Sequence, residues 1–139
     1  MVQIYLLSVI ANLIAGALLA ARTLETKVTA LKGFAAFVES RPKMRLTVAM
    51  VAFAVGVLVI ISPINGDVPV VGDLLPAAAG LFMGYALWLE WFRERRPEIE
   101  SWPFIQVSEK IFLAYRDQIG LAGMAVAFLH FLVPTVLFL

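Results

Sequence analysis

The sequence predicts an all-α integral membrane protein, a bundle of four transmembrane helices joined on one side by two amphipathic interfacial helices. Three observations carry this expectation. The 139-residue chain is 62% hydrophobic and only 15% charged, with mean hydropathy +0.92. An ordinary soluble domain is nearer half apolar and about a quarter charged. Four apolar runs are long enough to cross a hydrocarbon core of about 30 Å at about 1.5 Å per residue. All eleven Lys and Arg residues fall in two stretches between those runs. Arg22, Lys27, Lys32, Arg41, Lys43 and Arg45 form the first, and Arg93, Arg95, Arg96, Lys110 and Arg116 the second.

The predicted spans are Ile4–Ala21, Leu46–Ile61, Leu74–Phe92 and Ile119–Leu139, each free of Lys, Arg and Asp. Helices are required because lipid offers backbone N–H and C=O groups no partner. Lys and Arg are retained on the cytoplasmic side during insertion. The expected location is therefore a bacterial inner membrane, with segments 22–45 and 93–118 cytoplasmic and both chain ends outside. The first run lacks the positive n-region of a signal peptide, and Ala20-Ala21-Arg22 is a poor cleavage site. It is read as a retained span. The length allows one domain, residues 1–139.

Both inner connections carry helical periodicity. Val28, Leu31, Ala35 and Val38 recur at helical spacing, away from Lys27, Lys32 and Glu39. Phe104, Val107, Ile111 and Tyr115 do the same opposite Glu109 and Lys110, with Ser101 as an N-cap and Pro103 in the first turn. Pro42 and Pro97 break continuity with the spans, which favours helices lying on the inner membrane surface. Trp88, Trp91 and Trp102 are expected at headgroup level. The first connection holds six cations and two anions, so Arg22, Lys27, Lys32, Arg41, Lys43 and Arg45 form the candidate anionic-lipid surface. The second, from Glu90 to Gln118, holds five cations and six anions.

The layout of span, basic segment and span occurs twice. A shift of 71 residues aligns residues 1–68 with 72–139 without a gap, placing Arg22 on Arg93, Arg45 on Arg116 and Pro63 on Pro134. Two duplicated hairpins would be parallel, related by an axis along the membrane normal. Each span also carries a pair of small residues one turn apart: Gly16/Ala20, Ala52/Gly56, Gly80/Gly84 and Gly123/Ala127. Such pairs let helix backbones approach closely in lipid. Within one chain they would form the bundle; Gly80/Gly84 is also a candidate face between copies.

The outer loop Pro63–Leu74 repeats the hexad Pro-x-x-Gly-Asp-apolar. Pro followed three residues later by Gly suits a turn. Asp73 reads first as an N-cap for the third span and Asp67 as a turn former; the alternative is an outward-facing cation site using both carboxylates. The order Ser62-Pro63-Ile64, Val68-Pro69-Val70-Val71-Gly72 and then an acid resembles the loop of a family of small uncharacterised bacterial membrane proteins, the YkvA type. That family shows Ser-Pro-Ile-Asp, Ile-Pro-Val-x-Gly and paired acids. Here Asn65 replaces the first acid, one intervening proline is missing, and Asp73 alone stands for the pair. The likeness covers residues 62–73 and implies no mechanism.

Polar residues inside spans are the remaining functional candidates. Asn12 is expected to bond a neighbouring helix. His130, the only histidine, is either neutral and bonded to a carbonyl or Asn12, or a proton-responsive group beside Asp67 or Asp73. Glu90 is expected to form an interfacial ion pair near Arg93 and Arg22. A lone histidine cannot supply bis-histidine haem ligation, and without cysteine there is no thiolate metal site. No cofactor, metal or nucleic-acid partner is expected. No nucleophile–base set is present beyond a remote pairing of Ser62 with His130, so an enzyme is the least favoured class. The leading expectation is a structural or accessory membrane protein with lipids, a second copy or another membrane protein as partners. The alternatives are a small ion or solute channel or carrier working as a dimer, and an anionic-lipid-interacting protein.

Overall fold

The computed structural model describes residues 2–61, 74–96, 98 and 102–133. Among them the chain is helical, with no strand. The helices are α1 (Val2–Leu19), α2 (Ala21–Leu24), α3 (Thr29–Glu39), α4 (Pro42–Ile61), α5 (Leu74–Arg95), α6 (Pro103–Ser108) and α7 (Arg116–Leu132). A π-helical segment, Glu109–Leu113, continues α6. Of these, α4 and α5 are long and apolar enough to cross a membrane. A third candidate is the pair Pro103–Leu113 and Arg116–Leu132, bent by 58° at the break between them. Helix α1 is apolar but shorter.

Helix ends differ from the expected spans for local reasons. Ala20 leaves helical geometry at φ −85° and ψ 7°, so α1 stops at Leu19 and α2 is a separate turn. Helix α4 begins at Pro42, whose missing N–H costs nothing in a first turn. Helix α7 starts at Arg116 and ends at Leu132, where the sequence suggested an apolar run from Ile119 to Leu139. Val133 is extended at φ −135° and ψ 67°; the following Pro134 disfavours helix at that residue. Residues 134–139 lie outside the described residues, as do the outer loop 62–73 with Ser62, Pro63, Asp67 and Asp73, and also Pro97 and Ser101.

Packing explains why small residues recur. α1 contacts α4, α5 and α7, and α5 contacts both α4 and α7. A Cβ on Gly84 would lie 2.7 Å from the Phe53 amide nitrogen and 2.8 Å from the Ala49 carbonyl. On Gly80 it would lie 2.9 Å from the Ala52 carbonyl and 3.3 Å from Cα of Gly56, and on Gly56 2.8 Å from the Ala77 carbonyl. The Gly80/Gly84 face therefore packs on α4 of the same chain. Gly16 and Gly120 form the corresponding close approach of α1 to α7. Ala15, Leu19, Ala52, Met83, Ala86 and Leu87 fill the centre and are buried. The outer faces of α4 and α7 remain apolar, with Met50, Phe53, Ile61, Phe128 and Leu132 exposed. An apolar perimeter around a packed apolar centre suits a lipid solvent.

The inner connections are helical but arranged differently from the simple expectation. In α3, Ala35 and Val38 are buried while Val28 stays exposed outside the helix as its N-cap. Phe34 and Phe37 face outward, and Arg41 covers the Phe37 ring at 3.9 Å. In the second connection Trp102 takes the N-cap position and Pro103 the first turn. Ile105 and Ser108 point inward onto α5, where Tyr85 Oη donates to Ser108 Oγ at 2.9 Å. The stripe Phe104, Val107, Ile111 and Tyr115 faces outward and is more than half exposed throughout.

Candidate functional site

The ends of five helices converge on one charged cleft. Its cavity measures about 660 Å³ and is lined by Arg22, Glu39, Arg45, Glu90, Arg93, Glu94, Leu113 and Arg116. Helix connectivity brings them together: Arg22 follows α1, Glu39 closes α3, Arg45 opens α4, Glu90 to Glu94 close α5, and Arg116 opens α7. Both basic stretches thus meet at the same end of the helices.

Arg116 organises the deep wall. Its Nη1 lies 2.9 Å from Oε1 of Glu90, with the two side chains 12% and 13% exposed. Its Nε and Nη2 donate to the carbonyls of Leu19 and Leu18, each at 3.2 Å. These are the last carbonyls of α1, which lack helical partners and carry the negative end of the helix dipole. The second ion contact, to Oδ1 of Asp117, is longer at 3.9 Å. Asp117 also accepts a hydrogen bond from Thr23 Oγ1 at 3.0 Å, tying α2 to α7.

The rim is looser. Arg45 pairs with Glu94, whose side chain is 56% exposed. Arg93 pairs with Glu109 at 3.1 Å, on the π-helical segment. Arg22 has no ion pair among the described residues.

The expectation for Glu90 is an interfacial ion pair near Arg93 and Arg22, with no partner assigned. Glu90 pairs with Arg116, 26 positions away, in a mostly buried site, and shares the cleft with Arg22 and Arg93, while Arg93 pairs with Glu109. Helix α7 descends beside the end of α1 and delivers Arg116 into the space Glu90 faces.

The other candidates are dispersed. Lys27, Lys32, Arg41 and Lys43 are exposed around α3 and the start of α4, outside the cleft. Asn12 is 1% exposed in the middle of α1; its Nδ2 donates to the Pro76 carbonyl at 2.9 Å, while Oδ1 is buried without a hydrogen bond beside Gly80. His130 is 1% exposed at the opposite end from the cleft. Its ring lies 4.7 Å from that of Tyr5, and Tyr5 Oη donates to the His130 carbonyl at 2.9 Å. Ala20, Gly123 and Ala127 are buried at helix contacts, where Met83 meets the face of Gly123. Among the described residues no group of three or more His, Asp or Glu side chains is arranged to hold a metal.

Sequence reasoning missed Arg116, Glu39, Tyr5 and Gly120 as site or packing residues. A signal for Arg116 existed: the 71-residue shift aligns it with Arg45, already singled out.

Apolar helices of spanning length, with charge gathered at one end, define a helical protein with two to three candidate membrane spans. Residues 1–130 match the model of a protein family of unknown function, and the chain belongs to that family. No curated protein and no solved structure matches it.

Proposed function

We propose that the chain is a four-span membrane protein of structural or accessory type, acting through helix packing and its inner charged surface. One observation carries the reading: the space between α1, α4, α5 and α7 is filled by buried Leu19, Met83 and Leu87 and by small residues of the facing helices. A centre so packed leaves no route for a solute along the helix axes, which disfavours a carrier or channel.

In this reading α1 and α7 join α4 and α5 as spans, and the cleft end faces the cytoplasm because it gathers both basic stretches. A short helix such as α1 can span by local thinning of the bilayer. Duplication is supported by burial. Ala49, Ala52, Gly56 and Val59 of α4 are buried, and so are Gly120, Gly123, Ala127 and His130, their counterparts 71 positions on. The helix contacts follow the same exchange: α1 against α7 answers α5 against α4, and α1 against α4 answers α5 against α7. Arg22 with Arg93 and Arg45 with Arg116 line one cleft.

The test is reconstitution into liposomes carrying potassium, chloride and proton gradients. The reading expects decay no faster than in empty liposomes. Protein-dependent flux would overturn it in favour of transport.

A further inference from the structure

We propose that the inner cleft binds a phosphate group, gripped chiefly by Arg22 and Arg45. The ligand is an anionic phospholipid headgroup or free phosphate, which share this chemistry. The inference deepens the inner-surface reading above and rests on it only for which leaflet supplies a lipid.

Arg22, Arg45, Arg93 and Arg116 line the cleft with Glu39, Glu90 and Glu94, and Glu109 pairs with Arg93, so the formal charges cancel. An anion is then held by whichever guanidinium groups are free or can be freed. The cations are not equivalent. Arg116 is immobilised by Glu90 and two α1 carbonyls, and Arg93 is engaged with Glu109. Arg22 lines the space without an ion pair among the described residues. Arg45 is 11% exposed and held by Glu94, a carboxylate more than half exposed at the rim. Such a rim carboxylate swings into solvent at small cost. Arg45 would then be released toward an incoming anion.

Guanidinium presents a planar fork of donors that matches phosphate oxygens two at a time. A cavity of about 660 Å³ lies in the size range of small-ligand sites, about 300–1,000 Å³. Glu90 and Glu94 are each paired with an arginine, which leaves Glu39 as the lining carboxylate without an ion pair among the described residues, too few oxygen ligands for a cation site. Lys27, Lys32, Arg41 and Lys43 are exposed on and beside α3 and the start of α4, and add positive charge to the segments that carry Arg22 and Arg45.

The experiment uses the full-length protein in neutral detergent. Native mass spectrometry and thermal shift are recorded with phosphatidylglycerol, with phosphatidylcholine and with inorganic phosphate. Arg22→Gln and Arg45→Lys are compared with Lys110→Gln, an exposed cation that does not line the cleft. Phosphatidylglycerol should bind in preference to phosphatidylcholine. Arg22→Gln should weaken it by about tenfold or more, the loss of a charge-assisted contact. Arg45→Lys, which keeps charge but loses the fork, should weaken it measurably, and Lys110→Gln should leave it within about twofold. Binding of inorganic phosphate with the same dependence identifies a site for the bare group; binding of the lipid alone identifies a headgroup site. No anion preference, or equal weakening by Lys110→Gln and Arg22→Gln, overturns the proposal. Detergent binding does not depend on orientation, so an error in the four-span reading would surface in topology mapping and not here.

Discussion

Arg116 Nη1 and Glu90 Oε1 stand 2.9 Å apart at the junction of α7, α5 and the last turn of α1. The pair is largely shielded, and its geometry is asymmetric. Arg116 also serves the Leu18 and Leu19 carbonyls, whereas Arg116 is the ion partner recorded for Glu90.

That asymmetry predicts unequal substitutions. Arg116→Gln should lower stability by about 3–5 kcal/mol, because it strands a shielded carboxylate and uncaps α1. Glu90→Gln should lower it by less, since the guanidinium keeps both carbonyls. Denaturant titration in mixed micelles measures the difference; equal losses would refute the asymmetric role.

The glycines divide by what faces them. Gly84→Ala places a methyl against backbone atoms of Ala49 and Phe53 that cannot yield without moving α4. It should cost about 1–3 kcal/mol, and Gly84→Leu should prevent folding of the monomer rather than only dissociate copies. Gly33 has nothing within 4 Å of its virtual Cβ and lies inside α3. Gly33→Ala should therefore stabilise by about 0.5–1 kcal/mol, read from the same titration.

Asn12 makes one hydrogen bond and leaves its Oδ1 without one. Asn12→Leu should cost no more than about 1–2 kcal/mol. Asn12→Asp, which places a carboxylate in the buried middle of α1, should cost more. A leucine variant that fails to fold would show a larger role for the amide.

The exposed stripe of Phe104, Val107, Ile111 and Tyr115 should lie at the headgroup boundary. With Trp88 and Trp91 replaced by Phe, Trp102 fluorescence should be quenched by lipids brominated near the headgroup more than by those brominated near the chain end. Phe104→Asp should reduce that quenching with little effect on folding, because the side chain is 67% exposed.

The absence of cysteine makes topology mapping direct. Single cysteines at Lys32 and Lys110 should resist an impermeant maleimide added outside intact cells, while one after Leu139 should react. The reverse pattern would invert the orientation.

Helix identity was legible because hydropathy and small-residue spacing act along the chain. Gly80 and Gly84, one turn apart, could be read as a packing face from sequence alone. Their partners Ala49, Ala52 and Phe53 could be named only once α4 and α5 lay side by side. The break at Ala20 was not legible, since alanine is a strong helix former. Val133 carried a clear signal in the proline after it, outweighed by the apolar run. The Glu90–Arg116 pair was hidden for a different reason: partners 26 residues apart on separate helices leave no periodicity. In α6 the stripe was found, but its direction was not. Whether Phe104 or Ile105 faces the interior depends on where α5 lies.

The Tyr5–His130 contact joins nearly the first and last described turns. Helix α1 leaves the ribosome well before α7, yet a principal companion of its Gly16 face is α7. A nascent chain must therefore keep that glycine-bearing side uncovered, or borrow a temporary escort, until α7 has been made. Docking of α7 then closes the seam in a single late event.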